Sequence, residues 1–303
     1  MQAETDNSDA AIPLAPGLYL VATPIGNLGD ITLRALDVLR SVDRIACEDT
    51  RQTQKLLNHF EIATPTISCH EHNERERAEE LVAALKADGR VALVSDAGTP
   101  AVSDPGNWLV RAAIDAGVPV IPIPGANAAV SALVASGLPT AEFQFLGFLP
   151  EKAGARRSRL EDLADEARDT ARTLIFYEAP HRILDTLADL EAAWGADVRV
   201  VIARELTKVH EEFLRGSAAD LRRELAARER VRGEITLLVE APAAGTGTRA
   251  AEAARETVAA SVERLKKENG IDEKEALKRL ARERGVSKSE LYRELQRERA
   301  RRS

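Results

Sequence analysis

Short apolar runs and longer amphipathic stretches take turns along the first 240 residues of the chain. The apolar runs end in loops rich in Gly, Pro, Asp or Glu, a pattern typical of buried strands. They predict strands at 17–22, 44–47, 91–94, 118–123, 143–148, 172–177, 198–203 and 234–240. The stretches between them predict helices at 31–40, 74–88, 107–116, 126–135, 157–168 and 182–194. Because strands that alternate with helices build parallel sheets, we expect an α/β fold with ligand loops at the carboxyl ends of the strands.

The pattern changes after residue 241, where Ala, Pro, Gly and Thr predict a flexible linker. Three helices are predicted beyond it, at 252–267, 272–284 and 288–299, with Gly285 ending the second and Ser287 capping the third. Together they resemble a helix-turn-helix bundle. The expected organisation is a disordered tail at 1–16, an N-terminal α/β domain with a parallel sheet at 17–124, a second α/β domain with mixed strand pairing at 125–241, the linker at 242–250 and a small helical domain at 251–303.

The composition narrows the class of protein. Of the 303 residues, 44% are apolar but only 4% are aromatic, so aliphatic side chains must fill the core. The two cysteines, Cys47 and Cys69, form neither a disulfide framework nor a zinc spacing, which predicts a reduced, cytoplasmic setting. The first ten residues lack the pattern of a signal peptide. The charge-free stretch 116–141 contains four prolines and predicts a buried strand and helix rather than a membrane span.

Charge is distributed unevenly along the chain. The formal net charge is −7, yet residues 249–303 hold 16 Lys and Arg against 11 Asp and Glu, which makes this part +5 and the rest −12. An acidic body with a basic tail is typical of a protein that touches a polyanion locally. A solvated helical tail of mixed charge is the alternative.

The loop with the strongest functional signal is 95–106, which follows the apolar run Val91–Val94. It contains two Asp-bearing turns, and its glycines, Gly98 and Gly106, allow the backbone to approach a ligand closely. Asp96 can accept hydrogen bonds from ligand hydroxyls or attract a cation. Taken alone, an ordinary turn between a strand and a helix explains this loop as well.

Charged loops follow three other predicted strands. Glu48, Asp49 and Arg51 stand after the first of these, where a carboxylate can act as a base and a guanidinium can hold a phosphate. The segments 177–182 and 203–211 also mix acidic and basic residues. Internal ion pairs and helix caps are the structural alternative for each loop separately. Three such loops at strand ends together favour a functional site.

Three further segments contain residue types that can bind a ligand or a metal. The loop 23–30 matches neither a phosphate-binding loop nor a dinucleotide fingerprint, and its Asp30 is expected to cap the first helix. His70 and His72, with Glu71 between them, lack a third metal ligand, so substrate contact is favoured over zinc. Four cations near residue 155 suit a phosphate backbone or, alternatively, a solvated helix start; they are Lys152, Arg156, Arg157 and Arg159.

Seven motifs stand in the order found in the tetrapyrrole-methylase superfamily, which the chain resembles over residues 17–240 and in its helical tail. They are Thr23–Asp30 with Leu33–Ala35, Glu48–Arg51, His70–Glu74, Ser95–Gly106, Gly147–Pro150, Tyr177–Arg182 and Arg204–Lys208. One departure is Arg232-Gly233-Glu234, where the family pattern has Lys-Gly-Glu and the charge is retained. Thr23–Gly26 replaces the tighter glycine-rich loop of the tetrapyrrole-modifying members. The resemblance is therefore strongest to the branch that methylates a cytidine ribose 2′-hydroxyl in 16S ribosomal RNA.

This resemblance implies S-adenosylmethionine bound in a cleft between two α/β domains, a homodimer, and 16S rRNA or the small ribosomal subunit as partner, without a metal or a membrane. The residues expected to bind the cofactor are Ser95, Asp96, Gly98, Thr99, Pro100, Ala126, Asn127, Tyr177 and Ala203. The candidate proton acceptors are Glu48, Asp49, Glu71 and Glu178. The residues expected to contact RNA are Arg51, Lys152, Arg156, Arg157, Arg159, Arg182 and Lys208. Methylation of a tetrapyrrole or corrin precursor, or RNA binding without catalysis, remain open alternatives.

Overall fold

The first of two sheets is built from five short strands, of which the three central ones are largely buried. The computed structural model describes residues 13–166, 172–241, 257–284 and 288–302. The strands of the first sheet are β1 (Gly17–Val21), β2 (Arg44–Cys47), β3 (Thr66–Ser68), β4 (Arg90–Val94) and β5 (Val120–Ile123). They are all parallel, in the order β3-β2-β4-β1-β5. The helices of this first lobe are α1 (Leu33–Ser41), α2 (Thr50–His59), α3 (Glu74–Lys86) and α4 (Asn107–Asp115).

The order of these strands creates a crevice at their carboxyl ends. After β1 the chain crosses β4 to reach β2, whereas after β4 it crosses β1 to reach β5. The loops that leave β1 and β4 therefore run to opposite sides of the sheet. Ligands of open parallel sheets bind at such a switch point, so this topology marks the edge at which a site is expected.

The second lobe has a mixed sheet, as predicted. Its strands are β6 (Phe143–Phe148), β7 (Arg172–Glu178), β8 (Arg199–Arg204), β9 (Glu212–Ser217) and β10 (Ile235–Ala241), in the order β6-β7-β10-β8-β9. Only β6 and β7 pair in parallel; the other neighbours are antiparallel. The helices of this lobe are α5 (Ala128–Ser136), α6 (Ala153–Glu166), α7 (Ile183–Trp194) and α8 (Ala218–Ala226).

Each face of the second sheet is covered by aliphatic side chains. On one face Ala132 and Leu133 of α5 pack against Ile175, Val201 and Leu238. The other face is packed by α6, α7 and α8, whose buried residues include Leu160, Leu163, Leu187, Leu190, Trp194, Leu221 and Leu225. Burial of apolar area on both faces supplies the main stabilisation of such a layer.

The last three described helices form a bundle with its own core. They are α9 (Val258–Asn269), α10 (Glu273–Arg284) and α11 (Lys288–Arg302). Val262, Leu265, Leu277, Leu291 and Leu295 are among the residues that meet at its centre. The carboxylate of Glu298 accepts hydrogen bonds from the backbone N–H groups of Val258 and Ala259 and so ties the last helix to the start of the first. The predicted linker 242–250 and the predicted roles of Gly285 and Ser287 lie outside the described residues.

Some local predictions are wrong. Thr32 rather than Asp30 caps α1, because the Thr32 hydroxyl accepts the Ala35 N–H while residues 28–30 form a separate 3-10 turn capped by Asn27. Helix α6 begins at Ala153, four residues before the predicted start. Four elements were not predicted: β3, β9, α2 and α8. No helix in the described ranges combines the length and apolarity needed to cross a bilayer.

Candidate active site

A cleft of about 350 Å³ lies between the carboxyl ends of the first sheet and the second sheet. Both lobes contribute to its wall. The residues that line it are Ile25, Ala97, Gly98, Thr99, Val102, Ser103, Asp104, Asn127, Ala128, Phe148, Tyr177, Glu178, Ala179, Pro180, Ala203, Leu206, Glu234, Ile235 and Thr236. Five of the nine predicted cofactor residues are among them: Gly98, Thr99, Asn127, Tyr177 and Ala203. The segments that close successive strands therefore do meet at one crevice.

The loop after β4 is tied to the loop after β1. The backbone groups of Thr23 and Gly98 exchange two hydrogen bonds of 2.9 and 3.0 Å. The Thr23 hydroxyl donates to the Ser95 carbonyl at 3.1 Å, and Ser95 itself is buried. Gly98 has φ of +83°, and a Cβ there would lie 3.2 Å from Ile25. A glycine is therefore required where this loop turns at the cleft wall.

The far end of the same loop is fixed by a buried carboxylate. Glu74, at the start of α3, accepts hydrogen bonds from the backbone N–H groups of Gly106 and Trp108 at 3.0 and 2.6 Å. These N–H groups belong to the first turn of α4, where a negative charge is favoured by the helix dipole. The Trp108 ring is 48% exposed and lies under the Arg75 guanidinium, 4.3 Å from it. Glu74 thus sets the position of the loop that carries the site.

Strained backbone conformations concentrate at the cleft. Ala101 and Ser103 in the first lobe, and Glu205 and Thr207 in the second, have φ between 53° and 65°. Non-glycine residues adopt this left-handed region at a cost of about 1 kcal/mol or more each, and a β-branched residue such as Thr207 does so rarely. The two segments that contain these residues both contribute side chains to the cleft wall. Such strain clusters at functional sites.

Polar contacts join the two lobes beside the cleft. Asn127 caps α5 by accepting the Val130 N–H, and its amide donates to the Thr99 hydroxyl at 3.3 Å. The Thr99 hydroxyl in turn donates to the Ala126 carbonyl at 3.2 Å. Four of the predicted cofactor residues lie next to the cleft but do not line it: Ser95, Asp96, Pro100 and Ala126. These residues support the wall rather than form it.

Aromatic rings close one end of the cleft. Tyr177 packs edge-on against Phe145 and Phe148, with ring centroids 4.9 and 5.6 Å apart. Burial, with a contribution from the charge of Asp104, raises the pKa of the Tyr177 hydroxyl. Phe148 remains 58% exposed, a large apolar surface at the mouth. The low aromatic content of the chain does not predict this cluster, because the cluster forms only when the fold brings Phe145, Phe148 and Tyr177 together.

Carboxylates gather where β2 and β4 end. Asp96 accepts the Asp49 N–H at 3.2 Å, which brings the two loops together. Burial and the charge of Asp96 raise the pKa of Glu48. Burial and the charges of Glu48 and Asp96 raise the pKa of Asp104 to about 6. Asp104 lies in the motif 95–106 but was not among the predicted site residues, since its orientation into the cleft depends on the strained turn before it.

The other candidate proton acceptors are placed differently. Asp49 caps α2 and is held by the Arg51 guanidinium, and these hydrogen bonds lower its pKa to about 2. The structural alternative given for this loop, a helix cap together with an ion pair, therefore accounts for Asp49 and Arg51. Glu71 is exposed in the loop before α3, between His70 and His72, whose rings meet edge-on with centroids 5.9 Å apart. Neither Asp49 nor Glu71 lines the cleft.

The predicted catalytic role of Glu178 and the predicted RNA contact of Arg182 are both at odds with their surroundings. Glu178 is 2% exposed and accepts hydrogen bonds from Arg182, from the Thr186 hydroxyl at 2.8 Å and from the Ala179 N–H at 2.7 Å. Arg182 is 9% exposed and also donates to the Leu149 carbonyl. Both oxygens of the Glu178 carboxylate therefore already accept hydrogen bonds from groups of its own lobe. The pair is a buried structural unit.

The predicted basic cluster on α6 is split by burial. Arg156 is 3% exposed and donates to Asp189 of α7 at 2.7 Å, so it is unavailable to a phosphate and this prediction is wrong. Its neighbour Arg157 also binds Asp189, but its side chain is 64% exposed. Lys152 is exposed, and Arg159 pairs loosely with Glu166. The remaining cations are Arg51, whose side chain is 87% exposed, and Lys208, which is bound by Glu205 and Glu234.

The first lobe has a parallel sheet and the second a mixed sheet, and the cleft between them lies at a topological switch point. The protein is therefore a two-lobed α/β protein with a candidate ligand site shared by both lobes. A family profile described as Tetrapyrrole (Corrin/Porphyrin) Methylases matches residues 17–222. The chain belongs to the tetrapyrrole methylase family.

Individual proteins give the same assignment. The chain is 56% identical over 223 residues to a Ribosomal RNA small subunit methyltransferase I of Halalkalibacterium halodurans, covering 74% of this chain and 75% of that protein. It is 56% identical over 200 residues to the protein of the same name from Synechocystis sp., covering 66% and 70%. A crystal structure of a conserved hypothetical protein from Aeropyrum pernix K1 has the same fold, with a TM-score of 0.58 at 21% identity, over 77% of this chain and 86% of that one.

Proposed function

We propose that the protein is an S-adenosylmethionine-dependent methyltransferase that methylates the 2′-hydroxyl of a cytidine ribose in 16S ribosomal RNA. The observation that carries methyl transfer is the inter-lobe cleft, which combines apolar walls with a carboxylate, Asp104, that has no partner among the described residues. The RNA substrate is supported by the relatives, which are named for small-subunit ribosomal RNA and align over about three quarters of their length.

The side chains of the cleft fit S-adenosylmethionine. Ile25, Ala203, Leu206 and Ile235 offer an apolar surface suited to the adenine ring. The carboxylate of Asp96, after the end of β4, suits the positive charge of a sulfonium or an ammonium group. Gly98, Thr99, Asn127, Tyr177 and Ala203 are the predicted cofactor residues that would hold it. When bound, the cofactor supplies a methyl group that is already activated for transfer.

The protein's own contribution is orientation and proton removal. A rigid cleft that aligns two bound reactants lowers the barrier by up to about 7–11 kcal/mol. The double tie between Thr23 and Gly98 and the Glu74 contacts give the loop that rigidity. A base positioned for the hydroxyl proton adds about 10²–10⁴-fold in rate.

Exposed cations near the cleft and in the tail are proposed to bind the RNA backbone. Arg51 and Arg157 present mostly exposed guanidinium groups, and Lys152 is exposed ahead of α6. The basic C-terminal bundle would supply further cations. Such contacts make affinity depend steeply on salt. The homodimer implied by the family resemblance is part of the same proposal.

Transfer of a labelled methyl group tests this function. The full-length protein is incubated with labelled S-adenosylmethionine and, in separate reactions, with unmodified small ribosomal subunits, naked 16S rRNA, or a corrin precursor. We expect label in RNA at one cytidine, located by resistance of the adjacent phosphodiester to alkaline cleavage. Label in the corrin precursor alone would replace the proposal with the tetrapyrrole alternative. Binding of RNA without label in any substrate would favour a non-catalytic RNA-binding protein.

A further inference from the structure

Asp104 occupies a fixed place on the cleft wall. It lies between Ser103, whose φ is 61°, and Pro105, whose ring restricts the backbone. The Ser103 hydroxyl oxygen is 3.0 Å from where a Cβ would stand on Gly147, so the turn is seated against the end of β6. Asp104 lines the cleft together with Phe148 and Tyr177, at the end where the aromatic rings gather. The turn that carries Asp104 is therefore positioned by residues of both lobes.

Three carboxylates line the cleft among the residues that the structure describes: Asp104, Glu178 and Glu234. Glu178 is occupied by Arg182, Thr186 and the Ala179 N–H. Glu234 is bound by the Lys208 ammonium at 2.9 Å. Within the described part of the chain, Asp104 has neither a hydrogen-bond partner nor an ion pair. Of the three, Asp104 is the one whose carboxyl group accepts no hydrogen bond and forms no ion pair with the described residues.

The surroundings of Asp104 also make it basic enough for this task. Burial, Glu48 and Asp96 raise its pKa to about 6, and the Tyr177 hydroxyl is the other titratable group that faces it. No cation among the described residues lowers this pKa. A general base works best when its pKa lies near the pH at which the enzyme operates. An ordinary solvated aspartate, with a pKa of about 3.9, would be a weaker base.

We propose that Asp104 is the catalytic base of the methyl transfer, an assignment that rests on the proposed function. The ribose 2′-oxygen forms its new bond to the methyl carbon while the carbon–sulfur bond breaks and leaves its electron pair on sulfur. The hydroxyl proton passes to the carboxylate of Asp104. Glu48 acts through Asp104, because its negative charge disfavours ionisation of its neighbour. Glu48 is therefore a positioning residue that tunes the base.

Substitution of Asp104→Asn tests the base, with Asp115→Asn as the matched control at the exposed far end of α4. Asparagine keeps the shape of the side chain but cannot take up the proton. We expect the single-turnover rate on 16S rRNA to fall about 10²–10⁴-fold in Asp104→Asn and to stay unchanged in Asp115→Asn. Calorimetry should give S-adenosylmethionine affinities within about threefold of the wild type for both variants.

Each other result has a distinct meaning. An Asp104→Asn rate within a few-fold of the wild type overturns the assignment while leaving the proposed function intact. Loss of cofactor affinity in proportion to the loss of rate overturns it as well, because Asp104 would then bind the cofactor instead. If the wild-type protein methylates no RNA, the proposed function is contradicted, and so is the assignment of Asp104 as its base.

Titration of the carboxyl group gives a readout that needs no turnover. The ¹³C signal of the Asp104 carboxyl, assigned by its absence in Asp104→Asn, should titrate near pH 6 in the wild type. In Glu48→Gln the midpoint should move to lower pH, and the acid limb of the wild-type pH–rate profile should move with it. A midpoint unaffected by Glu48→Gln, or a rate whose acid limb does not follow the carboxyl titration, would contradict the mechanism.

Discussion

Glu178 and Asp104 are carboxylates on the wall of one cleft, and their partners separate their roles. Glu178 is enclosed by three donors, one of them the charged Arg182. Asp104 lies near two other carboxylates and accepts no hydrogen bond from the described residues. A buried ion pair contributes mainly through the penalty of breaking it, whereas an unpaired half-buried acid weakens the fold and gains reactivity.

Substitution of Glu178→Ala is expected to lower the free energy of unfolding by about 3–5 kcal/mol, because it leaves the buried Arg182 charge without its partner. Urea unfolding measures this change. Glu234→Ala is the control: its side chain is 75% exposed and its ion pair with Lys208 is worth at most about 1 kcal/mol. A Glu178→Ala protein of normal stability but without activity would return Glu178 to the list of catalytic residues.

Asp104→Asn is expected to stabilise the protein at neutral pH by about 1 kcal/mol, a value reduced for screening of a partly exposed group. Its folded pKa of about 6 exceeds the ordinary value of 3.8, so the wild type loses stability as the pH rises through this interval. Asparagine removes that loss. The advantage of the variant should therefore vanish below about pH 4. Urea unfolding at pH 4 and pH 7.5 checks the sign, and an equal difference at both pH values would contradict it.

At the scale of elements, β9 shows how polar contacts hold an edge strand. Glu212, at the start of β9, accepts hydrogen bonds from Arg204 of β8 and from Arg228 after α8. Hydrogen bonds from Arg228, with those from Arg204, lower the pKa of Glu212 to about 2. The strand itself is only partly buried, so these contacts substitute for apolar packing.

Glu212→Gln is expected to reduce the free energy of unfolding by about 1.5–3 kcal/mol at pH 7. Because the folded pKa is depressed, this stabilisation is present above pH 4.5 and is lost as the pH falls from about 4.5 to about 2. The wild type and the variant should therefore converge in acid. Glu229→Gln, an exposed neighbour, serves as the control. A deficit of the same size at pH 7 and pH 3 would sink the explanation.

The elements that the sequence predicted are those with continuous apolar runs, such as Val91–Val94, all buried in the centre of a sheet. The missed ones lack that signal. β3 has three residues, and α2 buries only Thr53 and Leu57 behind a polar surface. The interaction partners of individual side chains could not be predicted for another reason. Arg156 and Asp189 are 33 positions apart in the sequence, so only the packing of α6 on α7 shows that the Arg156 cation is buried.

At the scale of the whole molecule, the candidate site and the excess of positive charge lie in different parts of the chain. Two sheets hold the cleft, and the C-terminal bundle keeps a separate core. The loops of the candidate site belong to the acidic part of the chain, while the bundle is basic. RNA carries a phosphate for every nucleotide, so the bundle is the part of the chain best suited to add sequence-independent affinity.

Charge reversal in the bundle tests this division. Lys267→Glu with Lys274→Glu should weaken binding of a 16S rRNA fragment and lower the slope of log affinity against log salt by about 1–1.5. The S-adenosylmethionine affinity should stay the same. Lys86→Glu with Arg111→Glu, exposed positions on α3 and α4, is the matched control. Equal losses in the two double variants would assign the effect to net charge rather than to the bundle.

The two tryptophans of the chain lie in different lobes, so their fluorescence can report on each lobe separately. Trp194 is sealed in the second lobe, where its indole N–H donates to the Leu160 carbonyl. Trp108 is 48% exposed at the start of α4, and its backbone N–H donates to Glu74, the carboxylate that fixes the loop of the site. A Trp108→Phe protein would emit only from the core, and a Trp194→Phe protein only from beside the cleft. Fluorescence can then report loop movement and global unfolding as two independent signals, without any attached dye.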